Sequence, residues 1–208
     1  MKKQILPSLI AKNQKEFDER FEKVKNLSKT FHLDVMDGRF VKNKSLNFDL
    51  TPPRKKYQVH LMVNNPEKYA KIIYSKADAI IFHLKATKNP EKLLEFIKSK
   101  KRKSGIAINP NTSVKSLTPY LKKVNMVLVM TVNPGKYGAK FLPKTLKKVR
   151  QLRKLKPRLK IILDGGINDK TIRRASASGA NDFVVGSYLQ KSENPRQAIS
   201  ELRKAIKI

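Results

Sequence analysis

Short apolar runs recur along the chain, and each closes on a polar residue or a glycine. "ILPSL" closes near Ser8, "FHLDVM" carries Asp34, "YQVHLM" carries His60 and "DAIIFHL" carries His83. "GIAINP" then brings Asn109, "MVLVMTVNP" Thr131 and Asn133, "LKIILDGG" Asp164, and "DFVVGS" Gly186. Successive markers lie 22 to 33 residues apart, room for one strand, one helix and two short loops each time. The intervening segments mostly carry helical periodicity. "NQKEFDERFEKVKNL" puts Phe17, Phe21, Val24 and Leu27 on one face behind a cap at Asn13. "NPEKLLEFIKSK" and "NPRQAISELRKAIKI" each open with an asparagine cap and a first-turn proline. "LPKTLKKVRQLRKL" and "DKTIRRASASGA", the latter ended by Gly179, complete the series. Only "NFDLTPPRKK", after the second strand, is short of helix, with room for one turn before Pro52 and Pro53.

Eight such alternations predict an α/β protein with a parallel sheet, and 208 residues suit a compact (β/α)8 TIM barrel, one domain over residues 1–208. An open doubly wound sheet is the competing architecture. It concentrates its polar strand ends beside one switch point, whereas here nearly every run ends in one.

Composition narrows the chemistry. Cysteine is absent, so disulfides and thiolates are excluded and any metal must use His, Asp or Glu. No apolar run approaches the roughly 18 residues of a membrane span, and the start, Met1-Lys2-Lys3 and a short apolar run, lacks a signal-peptide cleavage pattern. A cytoplasmic protein without a membrane partner is expected. The formal charge of +31 raises the possibility of a polyanion partner. Yet the cations are spread over the whole chain, and Lys outnumbers Arg 36 to 11. Solvated lysine faces account for that pattern better than a specific nucleic-acid site.

The polar residues inside the apolar runs carry the candidate chemistry. On a strand, His32, Asp34 and Met36 share one face while Leu33 and Val35 share the other. An imidazole beside a carboxylate is costly to bury unless the two are paired or bind a metal. All three histidines, His32, His60 and His83, fall at or near strand carboxyl ends, which converge on one mouth in a barrel. Two of them with inward Asp34 and Asp164 would suit one divalent metal per chain, Zn²⁺ or a similar ion such as Fe²⁺, Mn²⁺ or Co²⁺. His83, one strand further round, reads as a supporting or structural residue. Asp37 falls on the outward parity or in the following turn and is expected to organise the turn at Gly38.

"HLDVMDGRFV", "VHLMV", "MTVNPG", "LDGGIN" and "GANDFVVGS", with "LPSLI" and "INPNT", resemble the ordered motif set of ribulose-phosphate 3-epimerases, from residue 5 to about 190. The resemblance implies a (β/α)8 barrel that interconverts D-ribulose 5-phosphate and D-xylulose 5-phosphate, a step of the pentose phosphate pathway. It implies a divalent metal on His32, Asp34, His60 and Asp164, with Asp34 and Asp164 doubling as the two catalytic proton carriers. A metal on the C2 and C3 oxygens would stabilise the developing enediolate as a Lewis acid. Two carboxylates on opposite sides of the sugar let either epimer enter.

The resemblance also implies substrate contacts from Ser8, His60 and the glycines Gly135 and Gly138. The phosphate is expected at Gly165 and Gly166 after strand seven and at Gly186 and Ser187 after strand eight, the usual phosphate corner of such barrels. Met36, Met62 and Met130 share the parity of site residues or end strands; parity alone is equally consistent with core filling, and the resemblance implies a second tier that borders the sugar and excludes water. The expected partners are a small sugar phosphate and further copies of the same chain.

The chain departs from the common pattern in three places: "PGKYGAK" stands where PGFGGQ is usual, "HLKA" (with Lys85) where HVEA is usual, and "VKN" for VPN. None of them removes a proposed metal ligand. An epimerase of another ketose phosphate, such as allulose 6-phosphate, and an inactive barrel that binds polyanions remain the competing readings.

Overall fold

The computed structural model describes residues 2–135 and 138–207. Eight parallel strands close into a ring: β1 (Gln4–Leu9), β2 (Thr30–Asp37), β4 (Lys56–Met62), β5 (Ala79–His83), β6 (Lys103–Ile108), β7 (Met126–Met130), β8 (Lys160–Asp164) and β9 (Asp182–Val185). Neighbours in the ring are neighbours in sequence. The circle is completed by β1, which pairs with β9 on one side and β2 on the other, through Ser8 opposite His32. The remaining strand, β3 (Lys44–Ser45), is a two-residue ribbon antiparallel to the end of β2.

Alternation of side chains along each strand divides the apolar residues between two layers. The even-numbered positions of β1, β2, β4, β7, β8 and β9 and the odd-numbered ones of β5 and β6 point into the lumen. Leu6, Ile81, Ala107, Leu128, Ile162 and Val184 fill it. The opposite parity, including Leu33, Val35, Val59, Ile80 and Val127, joins Phe17, Phe21 and Val24 of the first helix in the larger core between sheet and helices. At the amino-terminal floor, Asp182 accepts from Lys160 Nζ at 2.8 Å and Gln58 Nε2 at 3.3 Å. This polar plug closes the end opposite the site.

The helices follow the periodicity closely. Helix α1 (Gln14–Val24) begins at Asn13, whose Oδ1 accepts the Glu16 N–H at 2.9 Å. Helices α2 (Pro66–Ile73), α3 (Pro90–Ser99) and α4 (Leu146–Leu155) follow β4, β5 and β7. Helix α5 (Ile172–Ala177) ends two residues before Gly179, whose φ is +101°. After β9 come the single turn α6 (Ser187–Gln190) and then α7 (Pro195–Ala205), with Asn194 capping Gln197 N–H.

Three segments differ from the pattern. Asn89 does not cap α3 with its side chain; its own N–H donates to Thr87 Oγ1 at 3.0 Å. No helix forms over residues 46–55. Pro52 and Pro53 lack the N–H groups a helix needs and disfavour helical backbone before them, so β3 and buried Leu46 and Leu50 cover the sheet instead. Between β6 and β7 a 3-10 helix, Val114–Tyr120, takes the helix position, with Pro119 inside it.

Candidate active site

Every strand end expected to carry chemistry opens onto the same mouth. His32 and Asp34 come from β2, His60 from the adjacent β4, and Asp164 from β8, three strand positions from β2 in the ring order. Their ligand-capable atoms all lie within 4.8 Å of one another. Asp34 Oδ1 is 3.1 Å from His60 Nδ1 and 3.5 Å from His32 Nε2, and Asp164 Oδ2 lies 3.3 Å from the same His60 Nδ1. One imidazole nitrogen is therefore bracketed by two carboxylates.

This cluster is electrostatically tight. Burial alone would raise the Asp34 pKa, but the charges and hydrogen bonds of His32 and His60 outweigh it and hold the carboxyl well below its ordinary range. Burial would likewise depress His60, yet Asp164 and Asp34 push it up to about 9. A metal ion fits this set. His32 is 0% exposed, and neither ring nitrogen makes a well-formed hydrogen bond: Nδ1 has no partner and Nε2 only the Asp34 carboxylate at the long distance of 3.5 Å. A native core rarely leaves such an atom orphaned without an ion or water to serve it. Two imidazoles and two carboxylates are the donor types that divalent transition metals take.

Above the cluster lies a cavity of ≈ 740 Å³. Asp34, Asp164 and Ser8 line its floor, Met36, Met62 and Met130 line its wall, and Gly135, Gly138, Gly165, Gly166, Gly186 and Ser187 form its rim. His32 and His60 do not line it. His60, expected at both metal and substrate, sits with the donor set beneath the cavity. Ser8 Oγ donates to Asp34 Oδ2 at 2.6 Å, so the one carboxylate oxygen not facing a histidine is also held.

The glycine rim is a close fit. Gly166 has φ +66°, and a Cβ there would lie 2.9 Å from both the N and Cα of Phe141. Gly165 has φ +113°, and its Cβ would fall 2.3 Å from Val132 Cγ2. Only glycine lets the β8 turn pass under the loop after β7 while leaving its backbone bare. Thr131, off the lumen parity, secures that turn by donating from Oγ1 to the Asp164 carbonyl at 2.9 Å.

Across the mouth, the loop after β2 leans on the loop after β7. Asn43 Nδ2 donates to the Gly135 carbonyl, and Val41 occupies the space a Gly135 Cβ would need, 2.5 Å away. Phe40 and Val41 pack with Met36 and Met62. Asp37 organises this loop as expected: its Oδ1 accepts the N–H groups of Arg39 and Phe40 at 2.8 and 2.9 Å, and its Oδ2 that of Asn64 at 2.8 Å. Burial raises the Asp37 pKa, and these backbone donors more than reverse it, leaving it lowered. Of the divergent positions, Lys85 is exposed in the turn after β5, and Lys136 and Tyr137 lie outside the described residues.

Some of this was not legible in the sequence. The Ser8 to Asp34 bond, the Asn43 bridge and the role of Thr131 depend on loop meetings between residues far apart in sequence. Ser8 had a signal in its lumen parity, level with His32 in the register. Asn43 had none.

A buried cluster of acids and imidazoles beneath a glycine-rimmed cavity, at the carboxyl end of a (β/α)8 barrel, is where enzymes of this fold place their active sites. Comparison with known proteins gives the family. The sequence model described as "Ribulose-phosphate 3 epimerase family" matches residues 4–190. Ribulose-phosphate 3-epimerase of Schizosaccharomyces pombe is 35% identical over 212 residues, covering 97% of this chain and 93% of that one. The cytoplasmic isoform from Oryza sativa subsp. japonica is 37% identical over 185 residues, 84% of this chain and 81% of the relative. The chain belongs to the ribulose-phosphate 3-epimerase family. Among solved structures, KGPDC from Streptococcus mutans superposes with a TM-score of 0.70 at 15% identity, covering 100% of this chain and 98% of that one. That likeness is one of fold. No helix among the described residues is long and apolar enough to cross a membrane.

Proposed function

We propose that this chain interconverts D-ribulose 5-phosphate and D-xylulose 5-phosphate by moving the C3 proton between Asp34 and Asp164. The observation that carries the reading is the pair of carboxylates bracketing His60 Nδ1, at 3.1 and 3.3 Å, on the floor of a cavity with a glycine rim.

Epimerisation removes the C3 proton from one face and returns one to the other. One carboxylate takes the proton, and the electron pair of the C–H bond moves into the C2 carbonyl to give an enediolate. The other carboxylate, already protonated, delivers to the opposite face of C3. The reverse reaction exchanges their roles. Ser8 fixes the Asp34 oxygen that is not shared with the histidines, which aims the carboxylate at the cavity. A divalent ion on His32, Asp34, His60 and Asp164 would supply Lewis-acid stabilisation of negative charge on the sugar oxygens. The bare backbone of Gly165, Gly166, Gly186 and Ser187 offers N–H donors to the phosphate. Met36, Met62 and Met130 exclude water from the reacting carbon.

A coupled assay of ribulose 5-phosphate conversion to xylulose 5-phosphate, before and after chelation, tests this directly. We expect turnover that chelation abolishes and metal restores, with deuterium from D₂O appearing at C3 of the product. Metal-replete protein that leaves ribulose 5-phosphate unchanged would refute the proposal. Preferential turnover of allulose 6-phosphate would move it to another ketose phosphate.

A further inference from the structure

His83 is a buried imidazole that the chemistry above leaves unused. It ends β5, is 1% exposed, and places Nε2 2.9 Å from His60 Nε2. The two rings lie 25° from coplanar with centroids 5.0 Å apart. That separation is the N···N distance plus the radii of two five-membered rings, so the rings meet edge to edge. This is the geometry of an N–H···N hydrogen bond, not of face-to-face stacking.

Counting protons fixes the direction of that bond. Two imidazole nitrogens can share a hydrogen bond only if one of them carries a proton and the other a lone pair. His60 turns Nδ1 toward Asp34 and Asp164, so a metal there requires the lone pair on Nδ1 and the proton on Nε2. His60 Nε2–H is then the donor and His83 Nε2 the acceptor. The remaining His83 proton must sit on Nδ1, where Asn109 is the neighbouring side chain that bears on it. Asn109 Oδ1 is buried and makes no hydrogen bond of its own, so it is an acceptor available to that proton. Asp34, His60, His83 and Asn109 belong to β2, β4, β5 and the residue just past β6, four consecutive strands of the ring. Phe40 packs against His83, with ring centroids 4.8 Å apart.

We propose that His83 is a positioning residue that holds the His60 ring in its metal-binding orientation and tautomer by accepting its Nε2 proton, with Asn109 locking His83 in turn. The proposal rests on the reading of His60 as a ligand. It gives the buried His83 and Asn109 a joint task beyond packing. An imidazole whose distal N–H is bonded to a fixed acceptor is a better-oriented and more basic ligand.

The test compares His83→Leu, which keeps the bulk without an acceptor, with His83→Gln, whose Oε1 can take the place of Nε2. Each protein is stripped with chelator, checked for folding by circular dichroism, and titrated with Zn²⁺ against a competing chromophoric chelator. We expect His83→Leu to weaken Zn²⁺ binding about 10- to 100-fold and His83→Gln to restore it to within a few-fold of wild type. Leu binding as tightly as wild type, or a folded Gln variant as weak as Leu, would overturn the positioning role. Should His83→Leu not fold, Asn109→Leu carries the test, with weakened Zn²⁺ binding expected and unchanged binding overturning the proposal. Wild type that takes up no Zn²⁺ would overturn it as well. Wild type that binds Zn²⁺ but does not epimerise ribulose 5-phosphate would sink only the proposed reaction, and the affinity comparison would still decide the role of His83.

Discussion

The glycine rim allows two substitutions that share a backbone penalty and differ in sterics. Gly138 and Gly166 both have left-handed φ, +73° and +66°. Alanine at either position incurs about 1–2 kcal/mol for that conformation, offset by about 0.4–1 kcal/mol from a less flexible unfolded chain. At Gly138 the added Cβ meets only Ser187 Oγ at 3.9 Å, an ordinary contact. Gly138→Ala should therefore cost about 1 kcal/mol. At Gly166 it meets the N and Cα of Phe141 at 2.9 Å, backbone atoms that cannot rotate away. Forced shifts of that kind add about 1–3 kcal/mol, so Gly166→Ala should cost about 2–4 kcal/mol. In a chain of this size that is a fall in Tm of about 2–4 °C for Gly138→Ala and at least twice that for Gly166→Ala. Thermal and urea unfolding measure both. The same displacement moves N–H groups proposed to meet phosphate, so Gly166→Ala should also raise KM for ribulose 5-phosphate more than Gly138→Ala does. Equal stability losses would refute the steric argument. A large loss with unchanged KM would separate the rim from phosphate binding.

Asp34→Asn and Asp164→Asn should each lower turnover in both directions, with metal content measured in parallel; metal-replete variants with near-normal rates would remove that carboxylate from proton transfer. In the metal-free protein the raised His60 pKa contributes stability that is full below its ordinary value of 6.5 and lost as pH rises through about 9. Urea midpoints of stripped protein should therefore fall between these limits, and Zn²⁺ affinity should rise over the same interval as the competing proton leaves. Asp37→Asn removes a charge that accepts three backbone N–H bonds, and should cost about 1–3 kcal/mol at pH 7. Because the Asp37 pKa is lowered, its contribution is present above the ordinary carboxylate value of 3.8 and fades as pH falls through the folded one. The difference between wild type and variant should shrink in acid. Any nucleic-acid binding by this lysine-rich surface should fall steeply with salt and show no sequence preference in a gel-shift titration.

The barrel was legible because its signal is repeated: eight apolar runs at similar spacing, each with a polar marker, leave few topologies open. Strand parity alone puts His32, Asp34 and Met36 on one face, and they do share the lumen side. What parity could not give is anything set by side chains meeting across loops. The bracketing of His60 Nδ1 by two carboxylates needs β8 to arrive opposite β4. The edge-on contact of His60 and His83 depends on ring rotation, which no spacing encodes. Residues 46–55 were weakly specified because the two prolines forbid a helix without saying what replaces it.

The four donors are contributed by residues 32 through 164, from three separate strands. Such contacts are among the last that a growing or refolding chain can make, since every intervening loop must close first. Half a barrel, however well its first strands pair, holds His32, Asp34 and His60 but no Asp164. A metal ion that needs all four donors therefore binds only the finished ring, and its binding energy is added to the folded state alone. Metal loading would then be a record that assembly is complete, and chelation would withdraw a link between β2, β4 and β8.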